Sequence, residues 1–229
     1  MNRLPHRFML LLMAPVAVAV PALAHDVSAT DAARIVGASG PQFALYVELG
    51  AKHMITGLDH VLFLLGVMFY ADRMRTVLTL ASLFAAGHTI TLLTGVVWAL
   101  DVHPYLVDAI IGLSVAYKGF DNLGGFERIL GHRPSAGLVV FVFGLFHGLG
   151  LATKIQDVGL PEQGLITNLI GFNVGVELGQ IGALTGILVV LALIRRAGQA
   201  VRLGLIVNTA LITAGVALFI DQFGRFMGY

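Results

Sequence analysis

Six long apolar segments limit what this chain can fold into. Of the 229 residues, 57% are hydrophobic and only 12% are charged, whereas a soluble domain carries about 25% charged residues. Such a chain cannot cover its surface with polar side chains, so the lipid bilayer must be its solvent. The sequence therefore predicts an all-α, polytopic membrane helical bundle of about six transmembrane helices. These segments lie near residues 43–71, 76–100, 105–117, 136–153, 164–194 and 203–220.

The first 24 residues have the features of a secretory signal peptide. A basic start with Arg3 and Arg7 precedes an apolar run, and Ala22-Leu-Ala24 matches a signal peptidase site. We predict cleavage after Ala24, which makes His25 the first residue of the mature chain. A short extracytoplasmic segment (25–42) and a single transmembrane domain (43–229) then follow. Because signal and anchor segments overlap in character, an uncleaved anchor helix is the alternative interpretation.

The basic residues predict how the segments are oriented. With the mature N-terminus outside the cytoplasm, the cytoplasmic loops contain eight lysine and arginine residues and the external segments contain four. This excess obeys the positive-inside rule. We therefore predict a protein of the bacterial inner membrane with both termini in the periplasm, whose partner is the lipid bilayer, with no nucleic-acid partner.

Ionisable side chains within the apolar segments are the candidates for chemistry. Such groups are costly in hydrocarbon, so they are rare there and usually functional. The chain has no cysteine, which excludes thiolate zinc and iron–sulfur sites. Imidazole nitrogen and carboxylate oxygen suit divalent nickel, cobalt, zinc or copper, whereas calcium and magnesium want mainly oxygen. The predicted ligands are His53, Asp59, His60, His88, His147 and Glu177. The residues predicted to orient them are Thr91, Asn173 and Gln180. A shared proton site, or hydrogen bonds that only hold helices together, are the alternatives.

The spacing of His53 and His60 predicts a break in the first apolar segment. On an unbroken helix these residues lie about 10.5 Å apart along the axis, which is too far for two imidazoles on one metal at about 2.0–2.1 Å. Gly57 lies between them and tolerates unusual dihedral angles. We therefore expect the helix to break at Gly57, with Asp59 capping a new helix that begins at His60. The alternative is that His53 only sits in the headgroup layer.

Two further patterns concern how the helices pack. Five glycines of the fifth segment fall within one sector of a helix, and small residues at this spacing let another helix approach closely. They are Gly171, Gly175, Gly179, Gly182 and Gly186. In addition, Gly57-Leu-Asp-His60 and Gly144-Leu-Phe-His147 share the four-residue pattern G-L-x-H, which favours two inverted halves of three segments each.

Several of these blocks together resemble a known family. The pattern His53-x5-Asp59-His60, with the apolar run after it, resembles the signature of the HupE/UreJ membrane proteins. Gly87-His88-Thr89, Phe146-His147-Gly148 and the block from Phe172 to Gln180 resemble later motifs of that family. The resemblance implies a nickel or cobalt permease in which His53, Asp59, His60 and His147 bind the metal. The better-known branch continues its phenylalanine-histidine-glycine with a second histidine and a glutamate. Both positions are apolar here, so the chain resembles a divergent branch.

Three functions are compatible with these residues. The preferred one is transport of a divalent transition metal, nickel or cobalt, in which His53 receives the metal from outside and Glu177 exchanges a proton for it. The second is a membrane-embedded, zinc-dependent hydrolase acting on lipid, with Asp59 or Glu177 as general base. The third is an assembly partner of a metalloenzyme.

Overall fold

The computed structural model of the protein describes residues 29–37, 39–69, 73–159, 163–196 and 200–229. Every regular element in these ranges is a helix, which confirms the predicted all-α class. The predicted signal peptide and His25 lie outside the described residues. The helices are α1 (Ala29–Val36), α2 (Phe43–Thr56), α3 (Leu58–Met68), α4 (Met74–Val97), α5 (Pro104–Asn122), α6 (Gly125–Leu130), α7 (Ala136–Val158), α8 (Leu165–Arg196) and α9 (Ala200–Met227).

Four helices in the described ranges are long and apolar enough to cross a membrane. They are α4, α7, residues Leu165–Leu193 of α8 and residues Leu203–Met227 of α9. The predicted count of six is therefore somewhat too high. The first predicted segment is divided between α2 and α3, and α5 carries three charged residues within 19 positions, Asp108, Lys118 and Asp121. The protein is thus a helical membrane protein in which two of the six segments are interrupted or more polar than the others.

The first segment breaks where the sequence predicts. α2 ends at Thr56, α3 begins at Leu58, and Gly57 between them has extended backbone dihedrals of φ −63° and ψ 91°. The Gly57 amide donates to the His53 carbonyl oxygen at 2.8 Å, which ends the hydrogen-bond ladder of α2. The break at Gly57 is therefore confirmed.

The expected cap on the new helix is wrong. The residue that precedes α3 is Gly57, and no side chain caps this helix by a hydrogen bond. Asp59 instead lies in the first turn, with its Oδ1 atom 3.1 Å from Nδ1 of His60. This carboxylate oxygen accepts a hydrogen bond from the neighbouring imidazole, so Asp59 orients His60 and does not cap α3.

Three helix pairs build the bundle: α2 packs along α8, α4 along α7 and α5 along α9. The first two pairs are parallel. For example, Gly171 of α8 lies against Phe43 of α2, and Gly179, further along α8, lies against Ala51. The pair α5–α9 is antiparallel. Helices that are adjacent in space are therefore mostly distant in the sequence, and α3, α4, α7 and the end of α2 meet in the middle of the bundle.

About half of the glycine face of α8 packs against another helix. Gly171, Gly175 and Gly179 contact α2, and a Cβ atom at Gly175 would overlap the Val47 carbonyl oxygen. This confirms close helix approach for these three glycines. Gly182 and Gly186 lie further along α8, and among the described residues nothing lies within 4 Å of a Cβ built there. The close helix seam therefore ends near Gly179.

Candidate metal centre

Three of the predicted ligands lie together in the middle of the bundle. One ring nitrogen from each of His53, His60 and His88 lies within 4.8 Å of the other two. Nitrogens bound to one tetrahedral metal at about 2.1 Å are about 3.4 Å apart, so small side-chain rotations suffice to close the set around an ion. His60 and His88 are buried, with 3% and 0% of their surface exposed. These residues can therefore hold a dehydrated cation.

His60 is the centre of a larger histidine cluster. Its ring centroid lies 5.0 Å from that of His53, 5.8 Å from that of His88 and 4.9 Å from that of His147. The helix break makes this possible, because the two histidines of the first segment would otherwise be separated along the helix axis by about twice the observed ring distance. The structure thus brings together four of the six predicted ligands.

Hydrogen bonds at Nδ1 orient two of these rings. Nδ1 of His60 donates to Asp59 Oδ1 at 3.1 Å, and Nδ1 of His147 donates to the Phe143 carbonyl oxygen at 2.8 Å. A proton at Nδ1 leaves the lone pair of the neutral ring on Nε2. In both residues Nε2 is buried and has no hydrogen-bond partner among the described residues. This is the tautomer in which Nε2 can bind a metal.

His88 presents an unusual combination of burial and missing partners. It is fully buried, and neither ring nitrogen has a hydrogen-bond partner in the described part of the chain. Thr91 was expected to orient this ring, but its hydroxyl donates to the Leu145 carbonyl oxygen at 2.6 Å. Thr91 therefore links α4 to α7, the two helices that carry His88 and His147. A buried polar group without a partner is costly, which favours a ligand at this position.

Glu177 and its predicted neighbours lie elsewhere. Glu177 is exposed and lines a groove between α4 and α8 that also includes Thr89 and Gln180, and no histidine lines this groove. Gln180 donates to the Ala81 carbonyl oxygen at 3.1 Å, and Asn173 donates to the Leu169 carbonyl oxygen at 2.9 Å. The structure therefore groups Glu177 with Gln180 at a helix groove and not with the four histidines.

Aromatic rings that the sequence interpretation did not single out surround the cluster. Phe172 lies 5.9 Å from His53, and Phe84 lies 5.0 Å from His147 and 6.1 Å from His60, measured between ring centroids. Both are buried, with 5% and 1% exposed surface. Their spacing was a usable signal, since Phe84 precedes His88 by one helical turn. These rings exclude water from the histidine nitrogens.

An ion pair crosses the bundle beyond His147. Lys154 Nζ lies 3.1 Å from Asp108 Oδ1, and the two side chains are only 13% and 11% exposed. Lys154 lies just after the fourth predicted segment (136–153), but α7 continues through it to Val158. Lys154 follows His147 by seven residues and so shares its helix face. Its contact with Asp108 joins α7 to α5.

Helix α1 is fastened beside the other end of the cluster. Lys52 of α2 pairs with Asp31 at 2.7 Å, and Arg34 binds Glu48 through two hydrogen bonds of 2.7 and 2.8 Å. The hydrogen bonds from Arg34 to Glu48 raise the pKa of its guanidinium. Lys52 directly precedes His53, so these contacts place α1 next to the half-buried histidine of the cluster.

Comparison with known proteins identifies the family. A family model described as HupE / UreJ protein matches residues 29–223. The match begins in α1, ends in α9 and includes all four clustered histidines. Neither a curated protein nor a solved structure gives a significant match to the chain. Since the family model covers most of its length, the chain belongs to the HupE/UreJ family.

Proposed function

We propose that the protein transports a divalent transition metal, nickel or cobalt, across the cytoplasmic membrane by way of His53, His60, His88 and His147. The observation that carries this proposal is the set of three histidine nitrogens within 4.8 Å of one another in the centre of a membrane bundle. The association of the family with nickel and cobalt uptake or metalloenzyme maturation supports the same conclusion.

The donor set selects the kind of ion. Four imidazoles offer nitrogen, which suits nickel, cobalt, zinc and copper, whereas magnesium and calcium require mostly oxygen ligands. The cluster is buried, so an ion must shed water to enter, and the neutral imidazoles replace that water. Nε2 of His60 and of His147 is available for this exchange, and so is whichever unpartnered ring nitrogen of His88 carries the lone pair. Asp59 contributes through His60, whose ring it orients.

The proposed path begins at His53. This residue is half-buried and lies next to Lys52 and α1, whereas His60, His88 and His147 are buried. With the mature N-terminus in the periplasm, His53 receives the metal from that side and passes it to His60. The ligand set leaves out Glu177, because the groove that it lines contains none of the histidines.

Uptake into proteoliposomes tests this proposal. Protein in liposomes is supplied with labelled nickel, cobalt, zinc or copper, and wild type is compared with His60→Ala. We expect accumulation of at least one of these metals by wild type and its loss in the variant. His132→Ala is the matched control, because His132 is an exposed loop histidine and its removal should leave uptake unchanged.

Metal analysis of the purified protein completes the test. We expect a metal that binds and exchanges, and weaker binding in His60→Ala. Equal uptake by wild type and His60→Ala for every metal would contradict the proposal. Stoichiometric zinc that does not exchange, without uptake of any metal, would also contradict it and would favour a resident catalytic or structural ion.

A further inference from the structure

The helix pairs relate the two halves of the bundle to one another. One half consists of α2 with α3, α4 and α5, and the other consists of α7, α8 and α9. If the two halves are equivalent, α2 corresponds to α7, α4 to α8 and α5 to α9. The parallel pair α2–α8 then corresponds to the parallel pair α7–α4, and the antiparallel pair α5–α9 corresponds to itself. Both outcomes are the pairs that the structure contains. This is the arrangement expected of an inverted repeat.

The two parallel pairs agree in detail. Gly50 of α2 lies against the Phe172 carbonyl oxygen of α8, and Gly144 of α7 lies against the Phe84 carbonyl oxygen of α4. A Cβ atom on either glycine would overlap that oxygen. Gly50 thus corresponds to Gly144, and Phe172 corresponds to Phe84.

A second set of contacts gives the same register. Gly175, three residues after Phe172, lies against the Val47 carbonyl oxygen. Gly87 follows Phe84 by the same spacing and lies against the Phe141 carbonyl oxygen. Val47 and Phe141 in turn precede the corresponding glycines of α2 and α7 by equal distances in the sequence. Two backbone contacts that agree in register in both pairs are far stronger evidence than the shared residues of a short motif.

The third pair lies on the symmetry axis. A Cβ at Gly112 of α5 would lie 2.9 Å from the Phe219 amide nitrogen and 3.1 Å from the carbonyl oxygen of Gly215 in α9. A Cβ at Gly215 would in turn approach the Gly112 carbonyl oxygen and Ala116. Ala116 stands in α5 where Phe219 stands in α9, four residues after the glycine. The two helices therefore contact each other through equivalent positions.

This register identifies which histidines are equivalent. His53 follows Gly50 by three residues, and His147 follows Gly144 by three residues. Each also has the corresponding phenylalanine beside it, at the 5.9 and 5.0 Å given above. The shared G-L-x-H pattern instead aligned His60 with His147. The glycine contacts show that this register is wrong. His60 lies between the equivalent rings, 5.0 Å from one and 4.9 Å from the other.

On the basis of the proposed transport, we propose that His60 is shared by two alternative metal positions, one with His53 and one with His147, and that Phe172 and Phe84 gate them. In the described conformation the gathered nitrogens belong to His53, His60 and His88, so the ligands are assembled on the His53 side. The halves differ in one respect: the first is broken at Gly57, whereas α7 is continuous. Exchange of these arrangements moves the ion from His53 to His147 while His60 holds it.

The gate assignment follows from burial and position. Phe172 and Phe84 are buried and each covers the histidine of one half. A ring in this position excludes water and blocks an ion until it moves, as hydrophobic constrictions do in channels. Since the two rings occupy equivalent positions in inverted halves, they face opposite sides of the membrane. The protein then opens its site to one side at a time.

Single cysteines test this inference, because the chain contains none. Tyr46 precedes His53 by seven residues, and Val140 precedes His147 by seven; both are buried, at 1% and 2% exposure. Tyr46→Cys and Val140→Cys therefore report on equivalent positions at opposite sides. A membrane-impermeant thiol reagent is applied from each side, with and without nickel or cobalt. Leu138→Cys, at 65% exposure, is the control that metal should not affect.

We expect Tyr46→Cys to react only from the periplasmic side and Val140→Cys only from the cytoplasmic side. Added metal should change the two rates in opposite directions, and His60→Ala should abolish this effect. Phe172→Ala should raise labelling of Tyr46→Cys several-fold without affecting Val140→Cys, and Phe84→Ala should do the reverse. The bulkier variants Phe172→Leu and Phe84→Leu should raise labelling less than the alanine variants do, which separates gating from loss of folding.

Three outcomes would overturn the inference: labelling of both cysteines from the same side, a metal effect on only one, or no labelling of either. These results are distinguishable from failure of the proposed function. If liposomes accumulate metal but the cysteines do not respond reciprocally, only the alternation about His60 is wrong. If no metal binds or crosses, the transport proposal itself fails.

Discussion

Replacement of Asp59 by asparagine separates two roles for this carboxylate. Asp59 Oδ1 lies 3.1 Å from His60 Nδ1, and the side chain is 10% exposed. In Asp59→Asn the amide oxygen can accept the same hydrogen bond, but the negative charge beside the imidazole is lost. If the amide turns, its NH₂ group faces Nδ1, and the ring proton moves to Nε2, the nitrogen that faces the other histidines. Either change weakens metal binding through His60.

The magnitude follows from known effects of such partners. Loss of a group that orients a metal-bound histidine costs about 10–100-fold in metal affinity, or about 1.4–2.7 kcal/mol. Competition titrations with zinc and cobalt in detergent measure this directly, and Asp101→Asn in an exposed loop is the control. Unchanged affinity would refute the reasoning that Asp59 prepares His60 for the metal. A loss much larger than 100-fold, equal to that of His60→Ala, would show that Asp59 binds the ion itself.

Two further predictions concern packing and charge. Gly148→Val should lower stability by about 1–3 kcal/mol in detergent melts, because a Cβ there overlaps the His88 carbonyl oxygen. Gly182→Val should not, because nothing in the described part of the chain lies within 4 Å of a Cβ built there; equal melting midpoints of the two variants would contradict the packing described. Lys154→Met should cost about 3–5 kcal/mol in the same melts by breaking a buried ion pair, and adding Asp108→Asn should restore part of it; no restoration would mean that the pair acts through other contacts.

The composition and the spacing of polar residues were sufficient for the helical membrane fold and for most of the cluster. Hydrophobic segments mark spans because lipid requires every backbone group to bond internally. The seven-residue spacing of His53 and His60 around Gly57 predicted the helix break for a geometric reason, namely the distance that two ligands can span. These inferences depend on local geometry, which the sequence contains.

The sequence alone did not predict which distant helices pack against one another. Glu177 shares a helix face with Gln180, but only tertiary packing decides that this face borders a groove with α4. The importance of Phe84 and Phe172 likewise depends on which histidine each ring meets in space. The register of the repeat was misjudged for the same reason, since matched letters carry less information than the contacts of Gly50 and Gly144.

The parallel packing of α2 against α8 has a consequence for biogenesis. Gln42, which precedes α2, bonds through its amide to Asn168, which is 126 residues later in the chain. During synthesis the first helices therefore reach the membrane long before their partner exists, and they carry histidines and an aspartate that hydrocarbon tolerates poorly. These helices can complete their packing only after the fifth segment emerges from the ribosome. The order of translation and the order of assembly are thus uncoupled in this fold.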